Sequence, residues 1–260
     1  MPTDSQSITG RIHSVETFGA LDGPGLRYIL FLQGCPMRCV YCHNPDALDF
    51  FGGEEKTVAA VMADILKYRS FLKQGGVTLS GGEPLAQPEF CTALIAAGRA
   101  EGLHMAVDTS GGVALKLCRP AVEAADLLLL DIKAAEEALC RAVSGAGLTH
   151  PLAILNVREA LKKPVWIRHV VVPGLTLSDR ALTALGKLVG RYACVEKAEL
   201  LPFHKLGEYK WEALGLDYTL RDTPPPTEAE MAHARAVFEA AYRDVRKTQL
   251  PSYKHTKAGG

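Results

Sequence analysis

No apolar run in this 260-residue chain approaches the ~20 residues that a membrane-crossing helix needs; stretches such as 127–130 and 170–172 are interrupted far sooner. The first eight residues are polar, carry Asp4 and lack both a basic and an apolar segment. No secretory signal is therefore expected, and the cytoplasm is the expected compartment. Charge of one sign is missing too: 29 Lys and Arg stand against 29 Asp and Glu. That balance excludes a globally basic surface that would neutralise phosphates, so nucleic acid is not an expected partner. There is no disulfide framework. Seven cysteines is an odd number, three of them crowd into eight positions, and a chain of this length needs no staples to build a core. Internal repeats, low-complexity tracts, a flavin fingerprint and a second cysteine cluster are all absent from the sequence.

What is present is alternation. From residue 27 onward, short β-branched or apolar runs at 27–33, 76–80, 105–108, 127–132, 165–172 and 198–202 read as strands. Stretches of helical periodicity at 57–72, 88–101, 115–124, 151–161, 178–192 and 227–245 lie between or after them. Thr57, Ser178 and Thr227 stand at helix starts, where a side-chain oxygen can cap a free N–H. This is an α/β chain of six successive βα units around a parallel sheet. Residues 10–18 predict an extra strand before the first unit. The expected organisation is one domain over 1–246, with an N-terminal extension at about 8–20, a core at about 27–211 and a C-terminal helix at about 227–246. Residues 247–260 are expected to be a disordered tail.

Polar clusters fall at the C-terminal ends of these strands: Cys35 and its neighbours, Ser80-Gly81-Gly82-Glu83, Asp108-Thr109-Ser110, Asp131-Ile132-Lys133, Val172-Pro173-Gly174 and Pro202-Phe203-His204. In parallel βα barrels the active site is built at that face. Cys35, Cys39 and Cys42 have the spacing C-x3-C-x2-C, which chance would place about 0.005 times in a chain of this composition. Three thiolates in one tight loop suit an iron-sulfur cluster with one iron left open to a ligand. A zinc knot completed by His43 and a metal-free structural loop stay open as alternatives. Cys91, Cys118, Cys140 and Cys194 are far apart and read as buried core thiols.

The cysteine loop ending in Tyr41-Cys42-His43-Asn44 resembles the signature of the radical S-adenosylmethionine superfamily. Further matches narrow the resemblance: Asp22-Gly23-Pro24-Gly25-Leu26-Arg27, Gly81-Gly82-Glu83-Pro84, Trp166-Ile167-Arg168, Val170 to Gly174, and Leu201-Pro202-Phe203-His204 with Gly207, Lys210 and Trp211. Together they look like the glycyl-radical activating enzymes of the pyruvate formate-lyase type. The resemblance implies a partial (β/α)6 barrel of TIM-like strand order with an open lateral face. It implies an oxidoreductase holding a 4Fe-4S cluster on Cys35, Cys39 and Cys42, and S-adenosyl-L-methionine on Tyr41, His43, Asn44, Gly81, Gly82, Glu83, Asp131, Ile132, Lys133, Arg168 and His204, with Glu83 either stabilising the charge of the methionine amine or holding its loop. Reductive cleavage there would yield a 5'-deoxyadenosyl radical that takes hydrogen from a glycine Cα of pyruvate formate-lyase. A monovalent cation on Asp108, Thr109 and Asp131, a partner contact at Asp22, flavodoxin or ferredoxin as electron donor, and a monomeric state complete the expectation. The rival readings are an activase for another glycyl-radical enzyme and a non-enzymatic iron-sulfur or zinc module. The interval 44–80 holds no cysteine, which favours the formate-lyase type over activases carrying a ferredoxin-like insert there.

Overall fold

The structure, a computed structural model, describes residues 5–249. The chain runs β1 (Thr9–Gly19), β2 (Arg27–Leu32), β3 (Glu54–Thr57), α1 (Val58–Leu66), β4 (Gly76–Gly81), α2 (Pro88–Ala100), β5 (Met105–Thr109), α3 (Leu115–Ala124), β6 (Leu127–Asp131), α4 (Glu137–Ser144), α5 (Thr149–Leu161), β7 (Val165–Val171), α6 (Asp179–Val189), β8 (Val195–Pro202), α7 (Glu208–Ala213) and α8 (Glu228–Gln249). One eight-stranded sheet has the order β3-β1-β2-β4-β5-β6-β7-β8. The six strands from β2 to β8 in that order are parallel, and β1 joins β2 and β3 antiparallel. This bears out the six βα units read from the alternation and the partial barrel implied by the resemblance, left unclosed because β8 pairs only with β7.

Alternation along the strands sorts side chains between two layers. On β7, Val165, Ile167 and Val171 are buried towards the helices, whereas Arg168 and Val170 point into the barrel. The lumen floor is apolar: Ala106, Leu127 and Leu129 pack together with Trp166 against them. Two residues further along β5, β6 and β7 stand Asp108, Asp131 and Arg168, so the polar layer sits directly above that floor. The main core lies between the sheet and α1, α2, α3, α5 and α6. Helix α8 lies on α6 at Gly186, where a Cβ would come within 2.5 Å of the Phe238 carbonyl oxygen.

The expected caps are formed. Thr57 accepts from the Ala60 N–H and Ser178 from the Ala181 N–H. Thr227 and Glu230 cap each other's backbone N–H groups, Thr227 N–H donating to Glu230 Oε2 at 2.7 Å and Glu230 N–H to Thr227 Oγ1 at 3.2 Å. Several boundaries differ from expectation. Helix α1 stops at Leu66, and tight turns follow as Tyr68 and Phe71 swing their rings onto Phe18. Strand β8 begins at Val195, three residues early, because Val195 and Lys197 pair with Val165 and Trp166 of β7, with a bulge at the polar Glu196 between them. Helix α8 continues through Lys247 to Gln249, so the first part of the expected disordered tail is helical; residues 250–260 lie outside the described residues. Unexpected elements are β3, whose charged Glu54, Glu55 and Lys56 pair with β1, and the short helices α4 and α7. No single helix among the described residues is long and apolar enough to cross a membrane.

Candidate active site

A cavity of about 290 Å³ opens at the C-terminal end of the parallel strands, and all three clustered cysteines line it. Their loop is held on both sides. From within, Arg38 Nη1 donates to the carbonyls of Cys35 at 2.7 Å and Met37 at 2.8 Å. From outside, the N–H groups of Arg38 and Val40 donate to the carbonyls of Ser144 and Val143, both 2.9 Å, at the C-terminus of α4. Burial pushes the Cys35 thiol up to about 12, with nearby Glu83 adding to the effect. Burial likewise pushes Cys39 up to about 11, although Lys133 pulls the other way, and it raises Cys42 against the Asn44 N–H. Such thiols stay protonated until a metal centre displaces the protons.

All seven cysteines are free, and the other four are buried singly as expected. Among the described residues no three His, Cys, Asp or Glu side chains converge closely enough to hold one metal ion. His43, the expected fourth zinc ligand, stacks on His204 with ring centroids 3.9 Å apart and bonds its carbonyl oxygen at 3.0 Å.

Opposite the cysteines lies a charged wall. Lys133 Nζ donates to Asp131 Oδ2 at 2.6 Å, and both line the cavity. Burial disfavours the Lys133 ammonium, but Asp131, Tyr41 and Cys39 more than offset this and hold it charged. Arg168 Nη1 donates to Asp22 Oδ1 at 3.0 Å and Asp108 Oδ2 at 3.2 Å. Asp108 above all raises the Arg168 guanidinium and keeps it charged. Asp108 also accepts from Ser80 Oγ at 2.8 Å, yet burial pushes its carboxyl up to about 6, because Asp131 and Asp22 add like charge that Arg168 does not cancel. Three carboxylates therefore face two cations, leaving a negative excess that suits a cationic ligand.

The structure brings Asp22, Tyr41, His43, Asn44, Gly81, Gly82, Asp108, Thr109, Asp131, Lys133 and Arg168 to this one cavity. The side chains of three other expected residues do not line it. Glu83 does not reach the cavity: it is fully buried and accepts from the Leu85 N–H (3.0 Å), Thr109 Oγ1 (2.7 Å), Ser110 N–H (2.9 Å) and Ser110 Oγ, so it holds the loop. The Ile132 side chain belongs to the hydrophobic core. His204 lies behind His43 and is not among the lining residues. The three residues expected around a cation all line this cavity; within it the Thr109 hydroxyl donates to Glu83 at 2.7 Å, and Arg168 stands 3.2 Å from Asp108.

Gly81 and Gly82 have a packing reason to be glycine. Gly81 has φ +110°, with a Cβ only 2.3 Å from the Leu32 nitrogen, and a Cβ on Gly82 would meet the Gly34 carbonyl oxygen at 2.5 Å. Their close approach presses the end of β4 onto β2 and the cysteine loop. Missed by sequence reasoning were α4 and the contacts that α7 makes with the cysteine loop. From α7, Trp211 Nε1 donates to the Cys42 carbonyl at 2.8 Å, and Lys210 Nζ donates to Asn44 Oδ1 at 2.9 Å and Asp46 Oδ1 at 3.1 Å. Lys210 and Trp211 stood among the residues that carry the resemblance, without a role of their own.

The family model of the Radical SAM superfamily matches residues 29–185, which span β2 to α6 and contain the cysteine loop. The chain is 40% identical over 237 residues to the pyruvate formate-lyase 1-activating enzyme of Escherichia coli (strain K12), covering 90% of this chain and 96% of that one. It is 41% identical over 254 residues to the pyruvate formate-lyase-activating enzyme of Staphylococcus aureus (strain USA300), covering 94% and 98%. A solved radical SAM methyltransferase from Sphaerobacter thermophilus shares the fold, with TM-score 0.60, 15% identity and coverage of 83% of this chain and 64% of that one. The chain belongs to the radical S-adenosylmethionine superfamily and, within it, to the family of pyruvate formate-lyase-activating enzymes.

Proposed function

We propose that this chain activates a pyruvate formate-lyase by converting one of its glycines to a glycyl radical, using a 4Fe-4S cluster on Cys35, Cys39 and Cys42 and S-adenosylmethionine as cosubstrate. The observation that carries this reading is the single cavity in which three free thiols face a wall of Asp131, Lys133, Arg168 and Asp108. The donor set fits: three soft ligands on one loop, and a negative excess opposite for a sulfonium and an amine. When bound, the cluster supplies one electron to the sulfonium, whose cleavage yields methionine and a 5'-deoxyadenosyl radical that takes the glycine Cα hydrogen.

The chain's own residues bind, orient and exclude water. Lys133 and Arg168 are the cations available to the methionine carboxylate, with Asp131 and Asn44 as hydrogen-bond partners for the amine and ribose. Tyr41 and His43 wall the side nearest Cys42, and the core formed by Tyr41, Val143, Val172 and Phe203 keeps that side dry. Asp22 reaches the cavity from the β1–β2 loop, which suits contact with the partner's glycine-bearing segment. The electron comes from a separate carrier, a flavodoxin or ferredoxin, since the remaining cysteines are scattered and buried. Activation of a different glycyl-radical enzyme is the second reading; the cysteine-free interval 44–80 favours the formate-lyase.

Anaerobically reconstituted protein is expected to hold four irons and four sulfides and to cleave S-adenosylmethionine to 5'-deoxyadenosine and methionine. Cys39→Ala is expected to abolish cleavage while circular dichroism stays that of the wild type. Paramagnetic resonance with candidate partners should show a glycyl doublet on pyruvate formate-lyase. Undiminished cleavage by Cys39→Ala, or a doublet only on a dehydratase, would overturn the reading.

A further inference from the structure

The last ladder pair between β6 and β7 is Asp131 with Arg168, and beyond it the chain turns towards α4 carrying Lys133. The Ile132 N–H is taken by the Arg168 carbonyl at 3.0 Å. The Ile132 carbonyl lies past the end of the ladder, in the core, where a lone acceptor is costly. His169, only 3% exposed, takes it: its Nδ1 lies 2.7 Å from the Ile132 oxygen and must carry the proton, since a carbonyl only accepts. Its Nε2 is buried without a partner. That arrangement fixes a neutral imidazole with Nδ1–H, and burial lowers the pKa of the ring accordingly.

Ile132 is thus gripped at both its N–H and its C=O by successive residues of β7. It stands between Asp131 and Lys133, whose side chains enter the cavity on the same side and meet at 2.6 Å. We infer that His169 is a positioning residue for S-adenosylmethionine binding: by pinning the Ile132 carbonyl it fixes the direction in which Asp131 and Lys133 enter the cavity. This rests on the proposed role of that pair as cosubstrate contacts. His169 itself touches no cavity atom, because it points to the helix side of β7 while Arg168 and Val170 point inward.

Two substitutions separate donor from volume. His169→Leu keeps bulk and loses the N–H; His169→Asn keeps a donor close to the Nδ1 position and loses bulk. In cluster-loaded protein, His169→Leu is expected to weaken S-adenosylmethionine binding by equilibrium dialysis about tenfold, with kcat at saturation and iron content within about twofold of wild type. Amide exchange across residues 131–135, read by mass spectrometry, should accelerate in His169→Leu and not in His169→Asn. His169→Asn should bind S-adenosylmethionine as wild type does while melting at a lower temperature. If His169→Leu fails to fold, His169→Asn decides: wild-type affinity supports the inference, and loss of affinity overturns it. Unchanged affinity in a folded His169→Leu overturns the inference alone. Wild-type, cluster-loaded protein that binds no S-adenosylmethionine overturns the functional reading and this inference with it.

Discussion

At Glu83 four donors converge on one fully buried carboxylate, two of them backbone N–H groups and two hydroxyls. Glu83→Gln would turn an acceptor pair into one acceptor and one donor, setting an NH2 group against existing donors. A loss of about 2 kcal/mol or more in urea unfolding is the expected outcome, with S-adenosylmethionine affinity less affected than stability. An unchanged midpoint would show the loop is held otherwise. The sequence showed that Glu83 follows two glycines; it could not show which way the side chain turns. That depends on Thr109 and Ser110, 26 and 27 positions away, folding over it. His169 was hidden for the same reason: it sits in an apolar strand and acts through the carbonyl of a residue 37 positions away. By contrast the three cysteines were legible, because their chemistry is carried by local spacing.

Among the elements, the six parallel strands and their long helices were readable because each carries its own period and several carry their own caps. Helices α4 and α7 were not. The first spans 8 residues and the second 6, too few turns for a periodic stripe to stand out, yet these two grip the cysteine loop from either side. Their existence is decided by what they pack against rather than by their own composition. Trp211→Phe keeps an aromatic ring, though a smaller one, and removes the N–H that donates to the Cys42 carbonyl. Expected are a chain that folds normally, iron that is lost faster to a chelator by several-fold, and altered g-values of the reduced cluster in paramagnetic resonance. Chelation kinetics equal to those of wild type would leave α7 without this role.

Across the whole molecule, one cavity gathers charges from the β1–β2 loop, β5, β6 and β7. The sum is a property no single segment displays. Its weak point is Asp108, pushed up to about 6. As the pH falls through about 6 this carboxylate takes up a proton, the negative excess shrinks, and affinity for the cationic cosubstrate is expected to fall. Asp108→Asn should bind more weakly at pH 8 and lose the step near pH 6 in an affinity titration. A step that persists in the variant would assign it to another group. The antiparallel hairpin on one side and the unpaired edge of β8 on the other leave the ring of strands incomplete. Each free edge leaves a row of backbone donors and acceptors without a neighbouring strand, so the breadth of the cavity mouth is set by the two borders of the sheet rather than by a fixed circumference.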